Sequence, residues 1–470
     1  MSELVANKTL QPVLDHIDQN LDAAVERLQA LLRIPSISTD PEFASEVHRC
    51  AEHLAEDLRS MGLETTVHKT KGHPMVLATD DSAGPNAPRV LYYGHYDVQP
   101  VQPLDKWDTD PFEATVVEGT HGKRIVARGA ADDKGQLMTF VEAIRSWKAV
   151  HEKLPVRVVM LFEGEEECGS ESLEPFLNEY KTDLLADTCI VCDTSMWDVD
   201  TPAITSRLRG LVYIEATLHG PSHDLHSGGY GGAVVNPANA LTEILGQLHD
   251  KNGRVQIAHF YDDVDTVNDE QSAQWNALGD ADALVLESSG AKATFGEKGF
   301  TTLERLWARP TCDINGLFAG YTGSGAKTVI GATATAKISC RLVASQNPQE
   351  IEDHLKAFLE ERTPKGCRWE ITSFGINPAI SVPTDSPWLA AASEALTQIF
   401  PNPAVLIGSG GSIPVVGSFQ KILSVDAVLV GFSLDDDLIH APNEKFELSC
   451  FHNGILAHAT ILDKYASIQS

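Results

Sequence analysis

The chain has 470 residues, 43% of them apolar and 22% charged, which is typical of folded globular proteins and excludes disordered or fibrous classes. Its 66 acidic and 36 basic residues give a formal charge of −30, which disfavours nucleic acid and anionic membranes as partners. No run reaches the roughly 18 uncharged apolar residues of a membrane span, and the length predicts two domains.

The first residues predict one amphipathic helix, not a signal peptide. Residues 1–32 lack a basic segment followed by an uninterrupted apolar run, and apolar residues recur at helical spacing over 13–31. Eight scattered cysteines lack the density of a disulfide scaffold. Cys189 and Cys192 form a CxxC in an apolar stretch, where buried strand cysteines are favoured over a metal site. These features predict a cytoplasmic protein.

Strand-like and helix-like segments alternate at both ends of the chain and predict an α/β sheet. The strands are expected at 89–93, 156–162 and 427–430, and the helices at 136–147, 171–180 and 387–400. We therefore predict that residues 1–208 and 385–470 form one domain.

The middle of the chain has a different pattern. Alternating strands at 211–218 and 333–342 are each followed by a helical segment, at 238–248 and 348–359. This arrangement predicts that residues 209–384 form an inserted α+β domain.

Five segments place carboxylates or histidines just past apolar strands, where ligands collect in open α/β sheets. The residues are His95 with Asp97, Asp132, Glu166 with Glu167, Asp193, and His440. Taken singly, His95 could be a structural loop histidine and Asp132 a helix cap, so the prediction rests on the whole set. Mixed imidazole and carboxylate ligands suit zinc, manganese or cobalt better than magnesium. A carboxylate shared by two ions would make a two-metal hydrolase centre.

A series of motifs carries a family resemblance. In order, they are 95–100 (HYDVQP), 129–135 (GAADDKG), 166–170 (EECGS), Asp193, 224–232 (DLHSGGYGG), 323–329 (GSGAKTV) and His440. The series resembles the M20 metallopeptidases, specifically the carnosinase-like cytosolic (non-specific) dipeptidase branch. The chain departs from that branch at 373–378, which lacks a histidine that carnosinases carry near there.

The resemblance implies a fold and an activity. The fold would be α/β, with a zinc-exopeptidase-like catalytic domain whose mixed central sheet is flanked by helices, and with residues 209–384 as a lid and dimerisation domain. The activity would be hydrolysis of the amide bond of a dipeptide or very short peptide. Each subunit would use two divalent metal ions, with zinc as the first choice and manganese or cobalt as alternatives.

The resemblance also implies residue roles. His95 and Asp193 would hold one metal, Glu167 and His440 the other, and Asp132 would bridge the two.

In the same way, Asp97 would orient His95, and Glu166 would be the general base that takes a proton from water between the ions. The substrate-binding positions would be Arg341, Thr328, Ser412 and His226. In a homodimer, His226 would reach the active site of the other subunit and stabilise the oxyanion there.

Three other functions compete with this hypothesis. The first is nucleotide binding, because residues 320–328 resemble a phosphate-binding loop. However, Ala326 separates the last glycine from the lysine, and a strand follows in place of a helix. An N-acyl amino acid deacylase would keep the same metal ligands and act on acetylated or succinylated amino acids. A non-enzymatic binding protein on the same scaffold would not require all five metal ligands and the base.

Overall fold

The structure is a computed structural model that describes residues 8–411 and 413–468. The described residues form two compact units. The first contains the residues up to Ser206, Val382–Ile407 and those from Val415 onward, and the second contains Arg207–Ser381 and the described part of Gly408–Pro414. The lid and dimerisation roles predicted for 209–384 stay predictions.

The helices begin and end as follows. They are α1 (Gln11–Gln19), α2 (Leu21–Leu32), α3 (Ala44–Ser60), α4 (Lys134–His151), α5 (Leu173–Glu179), α6 (Ser227–Tyr230), α7 (Pro237–Leu245), α8 (Asp269–Asn276), α9 (Ala281–Ser289), α10 (Thr302–Trp307), α11 (Pro348–Glu361), α12 (Pro387–Ile399), α13 (Pro414–Ser418) and α14 (Leu448–Tyr465). No helix in the described part of the chain has the length and apolar character needed to cross a membrane.

The strands are mostly short. They are β1 (Glu64–His68), β2 (Met75–Asp80), β3 (Arg89–His95), β4 (Thr115–Gly119), β5 (Gly122–Val126), β6 (Arg157–Glu163), β7 (Thr188–Val191), β8 (Ala203–Leu208), β9 (Gly210–His219), β10 (Leu225–His226), β11 (Thr311–Ala319), β12 (Val329–Ile330), β13 (Thr333–Leu342), β14 (Arg368–Asn377), β15 (Ile380–Ser381), β16 (Val405–Ser409), β17 (Ala427–Val430) and β18 (Lys445–Glu447). The predicted strands at 333–342 and 427–430 match β13 and β17 residue for residue.

A mixed sheet forms the centre of the first unit. Its strands follow the order β1-β2-β6-β3-β7-β17-β8. Neighbours from β6 to β17 run parallel, and β1, β2 and β8 pair antiparallel with their neighbours. Strands β3, β6 and β7 are buried over nearly their whole length, as strands covered on both faces must be. The α/β class and the mixed sheet predicted from the sequence are confirmed.

A second, three-stranded sheet of the first unit joins distant parts of the chain. Its order is β18-β5-β4, and β18 pairs antiparallel with β5 so that Lys445 lies opposite Val126. The loop before β18 is thereby held beside the loop after β5. These two loops carry His440 and Asp132.

The second unit is built on an antiparallel sheet with the order β11-β13-β9-β14. Side chains alternate along β9 and β13, and Ile214 and Ile338 belong to a buried core that also contains Leu241 of α7 and Leu355 of α11. The opposite face of β13 carries Arg341, which is only half-buried.

The structure corrects the prediction for the first helix. The segment forms two helices, α1 and α2, that meet at Asn20. The His16 carbonyl near the end of α1 accepts from both the backbone N–H and the side-chain amide of Asn20, at 3.1 and 2.8 Å. Apolar spacing continues across the break and therefore does not reveal it.

The other predicted features agree more closely with the structure. Helix α4 begins at Lys134 and ends at His151, so it is longer than the predicted 136–147. Cys189 in β7 and Cys192 just after it are buried and free, as predicted. Residues 320–328 connect strands β11 and β12, a context without the helix that a phosphate-binding loop requires.

Candidate metal centre

The edge of the central sheet gathers the predicted metal ligands of the first unit. His95 is the last residue of β3, Asp193 follows β7, and Glu166 and Glu167 lie in a 3-10 turn after β6. Because β6, β3 and β7 are parallel neighbours, their carboxyl ends share one edge of the sheet.

Two groups of ligand atoms meet at Asp132. His95, Asp132 and Asp193 each offer one atom within 4.8 Å of the others, and so do Asp132, Glu167 and His440. His95 Nε2 is 3.1 Å from Asp132 Oδ1, whereas His440 Nε2 is 2.9 Å from Asp132 Oδ2 and 3.2 Å from Glu167 Oε2. The two oxygens of one carboxylate therefore face different histidines, as a bridging ligand requires.

The electrostatics of these residues fit divalent cations. Burial raises the pKa of Asp193 well above its ordinary value, and the Asp132 carboxylate raises it further. Burial would also raise the pKa of Asp132, but hydrogen bonds from His440 and His95 lower it overall. Several carboxylates this close repel one another unless protons or cations intervene. The nitrogen and oxygen donors present can accommodate two such cations.

Asp97 links His95 of the first ligand group to Glu167 of the second. Its carboxylate lies 3.3 Å from His95 Nδ1 through Oδ1, and its Oδ2 accepts a hydrogen bond from the Glu167 backbone N–H at 3.1 Å. Gln99, which the sequence analysis did not single out, donates to Glu167 Oε2 at 2.8 Å. Gln99 belongs to the motif at 95–100, and this position could have indicated that it lies near the metal ligands.

Glu444 is a second residue that the sequence analysis missed. Its buried carboxylate accepts hydrogen bonds from the backbone N–H groups of Gly129, Ala131 and Asp132 at 2.9, 2.9 and 3.1 Å, and from Arg128 Nη1 at 2.7 Å. One side chain from the His440 loop thus fixes the backbone that carries Asp132. Nothing in the local sequence around Glu444 indicates these distant partners.

Glu166 has a different environment. Its side chain is half-buried and has no hydrogen-bond partner among the described residues. Burial raises its pKa to about 7, and the neighbouring Glu167 and Asp132 carboxylates contribute to that rise while His95 opposes it. A carboxylate in this state is suited to proton transfer near neutral pH.

The second unit contains three other predicted site residues, His226, Thr328 and Arg341. His226 lies opposite Val329 in the β10–β12 pair, and the Ser227 N–H donates to the Thr328 carbonyl at 3.1 Å. His226 is exposed, and its Nδ1 accepts from the Gly228 N–H at 2.9 Å, which leaves Nε2 to carry the proton of the neutral ring. Ser412 lies outside the described residues.

Two ligand groups that share a carboxylate at the edge of an α/β sheet are the arrangement expected of two-metal hydrolases. The family model "Peptidase family M20/M25/M40" matches residues 91–464, so the chain belongs to that family. The predicted family is confirmed.

Named relatives share nearly the whole length. The chain is 30% identical over 475 residues to the Cys-Gly metallodipeptidase dug1 of Schizosaccharomyces pombe, covering 98% of this chain and 99% of the relative. The crystal structure of human carnosine dipeptidase 1 matches with a TM-score of 0.81 and 28% identity, covering 98% and 99%. An M20 family metallo-carboxypeptidase, Sso-CP2 from Sulfolobus solfataricus, matches with a TM-score of 0.81 and 32% identity, covering 95% and 99%. These likenesses confirm the predicted fold class.

Proposed function

We propose that the chain hydrolyses the amide bond of dipeptides or very short peptides with the help of two divalent metal ions. The observation that carries this proposal is the pair of ligand groups sharing Asp132. The relatives named above include two dipeptidases and a carboxypeptidase, which favours a peptide substrate over an N-acyl amino acid.

His95 and Asp193 would hold one ion, Glu167 and His440 the other, and Asp132 both. Zinc is the proposed metal, with manganese or cobalt as alternatives, since all three accept mixed nitrogen and oxygen ligands. Such ions polarise a carbonyl and lower the pKa of water toward neutrality.

Glu166 is the proposed general base. Its unpartnered carboxylate would take a proton from the attacking water and pass that proton to the departing amine. Asp97 would hold the orientation of His95, whose Nδ1 lies 3.3 Å from it.

The second unit would bind the substrate. Arg341 would pair with the substrate carboxylate, and Thr328 and Ser412 would contact the peptide. His226 would donate from Nε2 to the oxyanion in the other subunit of a homodimer.

We further propose that residues 1–208 and 385–470 form the catalytic domain, and that residues 209–384 form the lid and dimerisation domain. Leu317, Phe318 and Phe374 of the second unit are 52%, 55% and 53% exposed, and apolar residues of this kind suit an interface. A cytoplasmic location is proposed because all eight cysteines are free.

Metal removal tests the proposed function. The enzyme should lose hydrolysis of a dipeptide panel after exhaustive chelation and regain it with zinc, manganese or cobalt. The same panel should include N-acetyl and N-succinyl amino acids, which we expect to be poor substrates. Full activity after chelation would contradict the metal mechanism, and a preference for the acylated amino acids would support the deacylase instead.

A further inference from the structure

Arg209 of the second unit carries a positive charge without a partner. Its Nε and Nη1 atoms are buried, and neither has a hydrogen-bond partner among the described residues. Burial and the neighbouring Arg341 together lower the pKa of Arg209 to about 10, and Asp313 offsets this effect only in part. A guanidinium with two buried nitrogens that lack partners is costly, so its presence calls for an explanation.

The chain has a large excess of acidic residues that could have paired with Arg209. Acidic residues number 66 against 36 basic ones, so carboxylate partners are abundant in the sequence. Yet in the part of the chain that the structure describes, neither Arg209 nor Arg341 forms an ion pair or a side-chain hydrogen bond. Leu342 lies opposite Gly210 in the β13–β9 pair, so Arg209 and Arg341 both flank this pair of residues. Two neighbouring like charges favour an anion supplied from outside the chain.

The turn at Gly410 and Gly411 lies against the same guanidinium. The Arg209 backbone N–H donates to the Gly411 carbonyl at 3.2 Å. A Cβ added at Gly410 would lie 3.2 Å from Arg209 Nη2, which is tighter than ordinary van der Waals contact. Glycine therefore keeps space beside the guanidinium that any other residue would reduce.

We propose that Arg209 and Arg341 together bind the terminal carboxylate of the peptide substrate, so that Arg209 determines specificity for a free C-terminus. This inference rests on the proposed peptidase function. A carboxylate has enough acceptor sites for both guanidinium groups, and it supplies the negative charge that Asp313 offers only in part. A substrate with an uncharged C-terminal amide would offer its carbonyl oxygen as an acceptor but no negative charge to balance the two arginines.

The test compares a dipeptide with its C-terminal amide on the metal-loaded enzyme. The wild type should prefer the free acid. Arg209→Met should lower kcat/KM for the acid by roughly 10- to 100-fold, the worth of a charge-assisted hydrogen bond, mainly through KM. Hydrolysis of the amide should change little, and Arg209→Lys should restore part of the preference because it keeps the charge without the planar fork.

Arg207→Met is the matched control. The Arg207 Nη2 already donates to Gln271 Oε1 at 2.9 Å, so its guanidinium has a partner within the protein. This variant should keep the wild-type ratio of acid to amide. Metal content and melting temperature, measured for every variant, separate a loss of recognition from a loss of folding.

An unchanged preference for the free acid in folded Arg209→Met would overturn the inference, and the same result in Arg209→Gln, which also removes the charge, would do so if the methionine variant does not fold. If the wild-type enzyme hydrolyses no peptide, the proposed function fails first. Calorimetric binding of the acid and the amide to the metal-loaded protein then decides the inference. Equal affinity for the two ligands would reject it, and selective loss of acid binding in Arg209→Met would support it.

Discussion

Glu165 and Glu166 are neighbours in the chain, but their carboxylates have different surroundings. Glu165 is buried and accepts hydrogen bonds from the His73 and Ser172 backbone N–H groups at 2.7 and 2.9 Å. Glu166 has no such partner among the described residues, and burial raises its pKa to about 7. The Glu165 carboxylate therefore holds two loops together, and the Glu166 carboxylate is available to exchange a proton.

Glu166→Gln should lower kcat by about two orders of magnitude or more, because a general base typically contributes that much. Metal content should stay near the wild-type value, since Glu166 is not among the proposed ligands. Steady-state kinetics with metal analysis would check both expectations. Glu165→Gln is the control: it should lower the melting temperature while turnover of the folded enzyme stays near normal. Near-normal activity of Glu166→Gln would remove Glu166 from the mechanism.

His458 on α14 is buried without a hydrogen-bond partner for either ring nitrogen among the described residues. Its ring packs edge-on against Tyr92, Phe140 and Phe432. Burial in this apolar environment lowers its pKa to about 3. The folded protein therefore holds the neutral ring at a pH where the unfolded chain, with a pKa near 6.5, already binds a proton.

This difference makes stability depend on pH. The contribution is complete above about pH 6.5 and is lost progressively as the pH falls toward about 3, by at most ~1.4 kcal/mol per pH unit. His458→Leu should therefore lose less stability than the wild type between pH 7.5 and about pH 5.5. Urea unfolding of both proteins at the two pH values would measure the difference. Equal pH dependence would show that His458 has a partner in solution.

At the scale of elements, the loops that carry Asp132 and His440 act as one support. Strand β18 pairs with β5, and Glu444 accepts four hydrogen bonds from residues of the loop before Asp132 and from Asp132 itself. Removing a residue whose hydrogen bonds hold a metal ligand in place typically weakens metal binding by about 10- to 100-fold.

Glu444→Gln should weaken metal binding by about this factor, because a glutamine amide turns a donor toward backbone N–H groups that need an acceptor. Zinc titration of the metal-free protein by calorimetry would measure the change. Asn443→Ser is a suitable control, since Asn443 contacts the Asp108 N–H and the Lys106 carbonyl but not the Asp132 loop. If both variants bind zinc as the wild type does, Glu444 does not position the ligand.

These elements also show what the sequence could and could not predict. His95 ends one buried strand and Asp193 comes just after another, and both apolar runs are visible in the sequence, so the convergence of these two residues could be predicted from sheet topology. Glu444 could not be, because its partners lie more than 300 residues away along the chain. The break at Asn20 was also missed, since the apolar spacing continues across it.

At the scale of the whole molecule, the proposed oxyanion donor and the proposed base lie in different units. His226 belongs to the second unit and Glu166 to the first. If His226 serves the other subunit of a homodimer, each active site needs one residue from each chain. Activity would then depend on assembly, and dilution below the dimer dissociation constant should abolish it.

Mixed dimers provide the decisive measurement. His226→Ala and Glu166→Ala should each be inactive alone, but a heterodimer would contain one site with both an intact base and an intact histidine. Random exchange at equal concentrations makes half of the dimers mixed, so about a quarter of wild-type activity should return. If His226 acts within its own chain, every site in the mixture lacks one group, and no activity returns. Differently tagged subunits, co-purified to prove exchange, distinguish that outcome from a failure to form heterodimers.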